Sequence, residues 1–231
     1  MPNYDEAILR SRRLNPNAPF PLLHQAVRIA LYDEYAARAF YGRVVEAFGP
    51  RPPFANIVRA EQRHVEALSR QCERLGIPRP LDPFPQETEI EPTWRANCER
   101  AVVGEIANIR LYHDLLPHVG DPHVISVMQS LQAASLNDHL PAFQEAVADA
   151  LAQEHYHAAQ GIPPQQAYEH HGPLADLLEK LLVQLSPHAG SFGLFSPLLR
   201  RTTPAMLAGI ALGGAGVYLY RNRLSRRNQE N

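Results

Sequence analysis

The sequence predicts an all-α protein built around an antiparallel four-helix bundle. Three observations carry that reading: four long stretches with helical apolar periodicity, proline- and glycine-bearing breaks between them, and no alternating apolar run of strand length. Of 231 residues, 45% are hydrophobic and 20% charged, which supports one folded domain plus appendages and excludes wholesale disorder. A formal net charge of -2 provides no basic field, so no nucleic-acid partner is expected. The N-terminus has no apolar core after a basic start, and no secretory signal is expected either.

Residues 1–20 read as a polar leader. Pro21 suits the first turn of a helix and opens PLLHQAVRIALYDEYAARAFYGRVVEAFG, whose apolar stripe runs to the stop at Gly49-Pro50. A second helix spans roughly Pro53 to Leu75 and closes at Gly76, with a polar, proline-rich connection beyond it to Pro92. Thr93 is a candidate N-cap for a third helix from Trp94 to about Leu116. Asp121-Pro122 pairs a cap with a first-turn proline and opens a fourth helix reaching about Glu154. The bundle thus occupies 21–154. Residues 155–172 form a His/Pro-rich linker, whose His155, His157, His170 and His171 read as solvated or as adventitious metal binders rather than a designed second site. Residues 173–202 hold a short amphipathic helix, PLADLLEKLLVQLS, and a loop; 203–221 form an apolar tail helix, and 222–231 a basic end.

The second helix contains Glu61 and His64, three apart and so on one face, able to address one ion. With 16 Glu and 11 His in the chain, chance alone supplies about one Glu-x-x-His pair, so the motif by itself reads as a solvated face. An internal repeat strengthens it. ALYDEYAARAFY (Ala30 to Tyr41) aligns with AVVGEIANIRLY (Ala101 to Tyr112), superposing Glu34 on Glu105 and Tyr41 on Tyr112. EQRHVEAL (Glu61 to Leu68) aligns more loosely with LNDHLPAF (Leu136 to Phe143), superposing His64 on His139. Counted from the intervening turns at 1.5 Å per residue, these donors agree in height to within about 4 to 7 Å. Glu154 and His157, a second Glu-x-x-His pair, fall some 20 to 27 Å lower.

Glu34 and Glu105 lie in apolar surroundings, RIALYDEYA and RAVVGEIANI. Converging carboxylates in a core would each cost several kcal/mol to desolvate, and protonation, cationic partners or bound metal must offset that cost. Arg38, four residues after Glu34, is the ordinary partner for that carboxylate; Glu105 has no such neighbour. Mixed carboxylate and imidazole donors suit iron or manganese, and zinc less well.

With those residues in place, the chain resembles the ferritin-like di-iron carboxylate proteins, and more narrowly a ferritin-like family of bacteria and archaea of unassigned function. The segments that carry the resemblance are LYDEYAARAFYGRVVEAFG, PFANIVRAEQRHVEAL, GEIANIRLYHDLL and ASLNDHLPAF, covering roughly Leu22 to Ala150. It implies a metal-binding bundle with oxygen, peroxide or iron chemistry. The general pattern expects a fourth Glu three residues before His139, where this chain has Leu136; Pro141 could kink the helix and change which side chain faces inward. The expected metal ligands are therefore Glu34, Glu61, His64, Glu105 and His139, holding two iron ions asymmetrically or one ion well, with manganese as a second choice of metal. Tyr41 and Tyr112 read either as aromatic core packing or as hydrogen bonders and electron donors beside the glutamates.

Cys72 and Cys98 fall at comparable heights if their helices pair as an antiparallel hairpin, and either a disulfide closing the long connection or two buried thiols fits. From Pro204 to Tyr220 the tail carries 17 uncharged residues flanked by arginines, about 25 Å as a helix, marginal against a hydrocarbon core of about 30 Å. A membrane anchor with the bundle on the cytoplasmic side is the preferred reading, with a buried or oligomer-forming hairpin as the alternative. The expected functions are thus an iron-dependent oxidase, peroxidase or ferroxidase, or a mono-metal or metal-free tethered scaffold without turnover. O2 or peroxide, metal ions, a membrane and a second copy of the chain are the expected partners.

Overall fold

Periodicity and capping chemistry set the helices close to where the sequence places them. The computed structural model describes residues 3–159 and 161–164. Its helices are α1 (Glu6–Ser11), α2 (Leu22–Phe48), α3 (Phe54–Leu75), α4 (Phe84–Glu87), α5 (Trp94–Leu115), α6 (Pro122–Ala134) and α7 (Leu140–Ala158). No strand occurs among the described residues. Thr93 caps α5 by accepting the Ala96 N–H, and Asp121 caps α6 by accepting those of His123 and Val124. Gly76, at φ 64°, ends α3 in the left-handed conformation that a side chain disfavours, and Ile77 N–H returns to the Cys72 carbonyl at 2.8 Å.

The expected fourth helix is interrupted. Between α6 and α7 lies a π turn, Ser135–His139, in which Leu140 N–H bonds the Ser135 carbonyl five residues back. Pro141 has no N–H to offer the Asn137 carbonyl, so the α-type ladder cannot continue through this point. The extra residue in the turn re-aims the side chains: Ser135 and His139 are buried, while Leu136, Asn137 and Asp138 are exposed.

Two apolar cores result, and a polar band separates them along α2, α3 and α5. The first contains the apolar residues between Ala26 and Tyr35 of α2, between Val65 and Cys72 of α3, between Leu111 and Leu115 of α5, and between Val124 and Leu131 of α6. The second contains Phe40 to Val44 of α2, Phe54 and Ile57 of α3, Trp94 to Ala101 of α5, and Phe143 and Ala150 of α7. The C-terminal ends of α3 and α5 thus share one core, and their N-terminal ends the other. Residues 76–93 carry the chain back from Ile77 in the first core to Trp94 in the second.

That return corrects the expected neighbourhood of the cysteines. Cys72 lies in the first core and Cys98 in the second, both buried and both free, because α3 and α5 run in the same direction rather than as a hairpin. Burial pushes their thiols up, to about 11 for Cys72 and about 12 for Cys98.

The leader also joins the structure. Leu9 of α1 is fully buried in the first core, and Asp5 pairs with Arg28 of α2 at 2.5 Å, with Arg28 1% exposed. Arg28 also donates to the Pro78 carbonyl, so one buried guanidinium fastens the N-terminal segment and the start of the connection to α2. Among the described residues no helix is long and apolar enough to cross a membrane. The expected amphipathic helix and the expected tail span at 203–221 lie outside them.

Candidate metal centre

The polar band between the cores holds the five residues that the sequence singles out. Glu34 on α2, Glu61 and His64 on α3, Glu105 on α5 and His139 at the end of the π turn are all buried. Donor atoms of Glu34, Glu61 and His64 lie within 4.8 Å of one another, and so do those of Glu61, Glu105 and His139. Glu61 belongs to both groups. The two histidine rings stack across the centre with centroids 5.5 Å apart.

Helical phase accounts for each placement. Glu61 and His64 share a face at a spacing of three, and His64 Nδ1 lies 3.2 Å from Glu61 Oε2 and 3.1 Å from Glu34 Oε2. α2 and α5 cross the band in opposite directions, so residue numbers fall on one as they rise on the other. Tyr41 therefore donates to Glu105 Oε1 at 2.6 Å, and Tyr112 to Glu34 Oε1 at 2.6 Å. Each repeat's tyrosine serves the other repeat's glutamate. The tyrosines hydrogen-bond to the candidate donors and pack as aromatic residues, since Tyr41 also contacts Phe54 and Phe143. Burial, followed by the nearby carboxylates, pushes both phenols well above the usual tyrosine range.

Three further residues escape a sequence reading. Asn108 donates to Glu34 Oε1 at 3.2 Å and to Asp33 Oδ2 at 3.0 Å, and it accepts the Ser135 hydroxyl at 2.9 Å. Asp33 and Ser135 are as buried as the donors. Asn108 follows Glu105 by three residues, a spacing that could have flagged it; for Ser135 no signal existed, because the π turn decides its direction. Arg38 does not serve Glu34. It turns to Gln62 at 2.9 Å and Asp82 at 2.7 Å. Glu154 pairs with Arg95 at 2.7 Å near the start of α5, apart from the two groups, and His157, expected in a solvated linker, is instead buried on α7, which runs on to Ala158. Leu136, where the di-iron pattern expects a glutamate, is 50% exposed.

The electrostatics show three acids sharing too little positive charge. Burial, reinforced by the charge of Glu61, pushes the Glu34 carboxyl up to about 7. Burial also raises Glu61, but hydrogen bonding with Glu34 and His64 and the nearby His139 imidazole outweigh it and leave that carboxyl below its usual range. The imidazoles move the other way. Burial opposes their protonation, yet hydrogen bonding to Glu34 and Glu61 brings His64 up to about 10. The carboxylates Glu105 and Glu61 bring His139 up to about 9. Two imidazolium ions thus offset part of the charge of the three acids.

One atom shows that protons fill that role imperfectly. His139 Nδ1 is buried and makes no hydrogen bond. Glu61 Oε1 at 3.2 Å and Glu105 Oε1 at 3.5 Å are close enough for charge attraction but out of line for an N–H donor. A divalent ion held by Glu61, Glu105 and His139 would displace the imidazole proton and take this nitrogen as a ligand. The residues present fit a metal: two buried groups of Glu and His can each hold an ion.

No protein-family model, curated protein or solved structure matches the chain. The helical architecture with buried carboxylate and imidazole groups is compatible with the ferritin-like resemblance of its motifs, and what the chain can do is read from its own side chains.

Proposed function

We propose that the chain is a ferritin-like four-helix protein that binds two transition-metal ions, iron foremost, between its two apolar cores. Glu34 and His64 would hold one ion, Glu105 and His139 the other, with Glu61 shared. Bound iron would supply redox chemistry toward O2 or peroxide, as in an oxidase, peroxidase or ferroxidase. The observation that carries the reading is His139 Nδ1, a buried imidazole nitrogen without a hydrogen bond, facing Glu61 and Glu105.

The protein's own contribution is to hold the donors and keep water out. Tyr112 bonds Glu34 Oε1 and leaves Oε2, which faces His64, for an ion; Tyr41 bonds the Glu105 oxygen that faces His139 and so orients that carboxylate toward it. The apolar cores above and below exclude solvent and lower the local dielectric, which strengthens a cation's attraction to the three acids. With Leu136 turned outward, α6 and α7 supply no carboxylate to the two groups, so a bound pair would have one shared protein carboxylate and positions open to small molecules. The same lack of a fourth acid favours a second reading, in which one divalent ion suffices. We further propose that residues 203–221 anchor the protein to a membrane from its cytoplasmic face, on the strength of their uncharged run and flanking arginines.

Metal analysis of purified protein, with anomalous scattering at the iron edge, tests the reading. It expects about two irons per chain, with the ion beside Glu105 lost in Glu105→Ala. Unchanged metal content in that variant removes Glu105 from the ligand set; one ion in the native chain favours the mono-metal reading.

A further inference from the structure

Arg12 has the only positive φ of any non-glycine residue among the described residues, at φ 56° and ψ 27°. It stands at the C-terminal end of α1, where glycine or asparagine is the usual choice, and the conformation costs an arginine roughly 1 kcal/mol. What the position provides is reach. The Arg12 guanidinium, with its side chain 44% exposed, lies 2.7 Å from Asp33 Oδ1, whose side chain is 6% exposed. The other Asp33 oxygen accepts from Asn108, Asn108 donates to Glu34, and Ser135 fixes the amide's orientation by donating to its carbonyl oxygen. A continuous chain of polar contacts therefore runs from the N-terminal segment at the surface to a candidate metal donor.

Each member of the chain has a use for its neighbour. The Asn108 amide has two N–H groups, one for each of two adjacent buried carboxylates, and its single carbonyl is taken by Ser135. It can hold Glu34 only while Asp33 stays in place. Asp33 is a buried acid whose cationic partner is Arg12, so without Arg12 it must turn toward water to recover a partner, and Asn108 loses one of its anchors. Glu105 is held differently: it accepts its hydrogen bond from the Tyr41 hydroxyl.

We propose that the N-terminal segment is a positioning element for the metal centre: Arg12, acting through Asp33 and Asn108, orients Glu34, so that docking of this segment and binding of the ion beside Glu34 favour each other. The coupling rests on the metal-binding reading above and is reciprocal by linkage. Its sign separates it from simple electrostatics. Removing a positive charge near a cation site would by itself tighten binding, whereas loss of positioning weakens it, typically by tenfold to a hundredfold for groups that orient a ligand.

The test uses the full chain, freed of metal and titrated with Co2+ alone. In a Glu105→Ala background, which leaves the group around Glu34, Arg12→Gln should weaken Co2+ binding by about tenfold or more, and Arg12→Lys should recover part of the loss. In a Glu34→Ala background, Arg12→Gln should change nothing. Equal or tighter binding in the first background, or an equal loss in both, overturns the proposal. The Asn108 side-chain amide gives a readout independent of metal: its protons should exchange slowly in the native chain and faster in Arg12→Gln, and identical exchange also overturns it. A native chain that binds no Co2+ refutes the metal reading and the coupling together, while a change in amide exchange would still establish the relay itself.

Discussion

Metal binding at this centre must expel protons, and their number follows from the geometry. At pH 7 His64, raised to about 10, and His139, raised to about 9, are almost fully protonated, and Glu34, raised to about 7, is half protonated. Filling both groups requires bare imidazole nitrogens and carboxylates, so about 2.5 protons leave per two ions at that pH. Deprotonating the imidazoles costs about 4 kcal/mol at His64 and about 3 kcal/mol at His139, at 1.36 kcal/mol per pH unit. The apparent affinity therefore rises with pH, and near neutrality the product of the two binding constants gains more than a hundredfold per unit, on the order of two to three protons' worth. Calorimetric titration with Mn2+ in two buffers of different ionisation enthalpy counts the released protons directly. Binding that releases none, or whose affinity stays level between about pH 6 and 8, refutes the view that imidazolium occupies the cation's place.

The same charges set three further outcomes. Without metal, the raised imidazoles stabilise the fold below their unfolded value, and that contribution is lost as pH climbs through 9 and 10. Protonated Glu34 loses its contribution earlier, as pH rises toward about 7. Thermal melts of metal-free protein should thus fall progressively from pH 6 to 10, whereas a flat profile contradicts the assignment. Leu136→Glu places an acid where the di-iron pattern expects one, but on a side chain that points outward. Its metal stoichiometry and affinity should match the native chain, and an added tight site would show that the π turn does not hold this register. Finally, Cys72 and Cys98 should titrate as two thiols after denaturation yet react slowly in the folded chain, because both are buried and their thiols are raised. A denatured, unreduced chain with no free thiol would contradict their placement in separate cores.

The separate cores also explain which parts of this protein the sequence could disclose. Helix positions depend on local chemistry, namely apolar spacing, the Thr93 and Asp121 caps and the Gly76 stop, and local chemistry is written in consecutive residues. The Glu34 and Glu105 repeat was equally legible, since two similar helices facing one layer leave similar patterns. Glu61, His64 and His139 followed from spacing and height. The tertiary structure decided what depends on chain direction and on a single irregular turn. Because α5 runs parallel to α3, Cys72 and Cys98 part company and each tyrosine meets the opposite repeat's glutamate. Because the π turn inserts a residue ahead of Pro141, Leu136 faces solvent while Ser135 faces the centre. Asn108, Asp33 and Arg12 join the site through contacts between segments far apart in sequence, and no window along the chain contains the geometry that unites them.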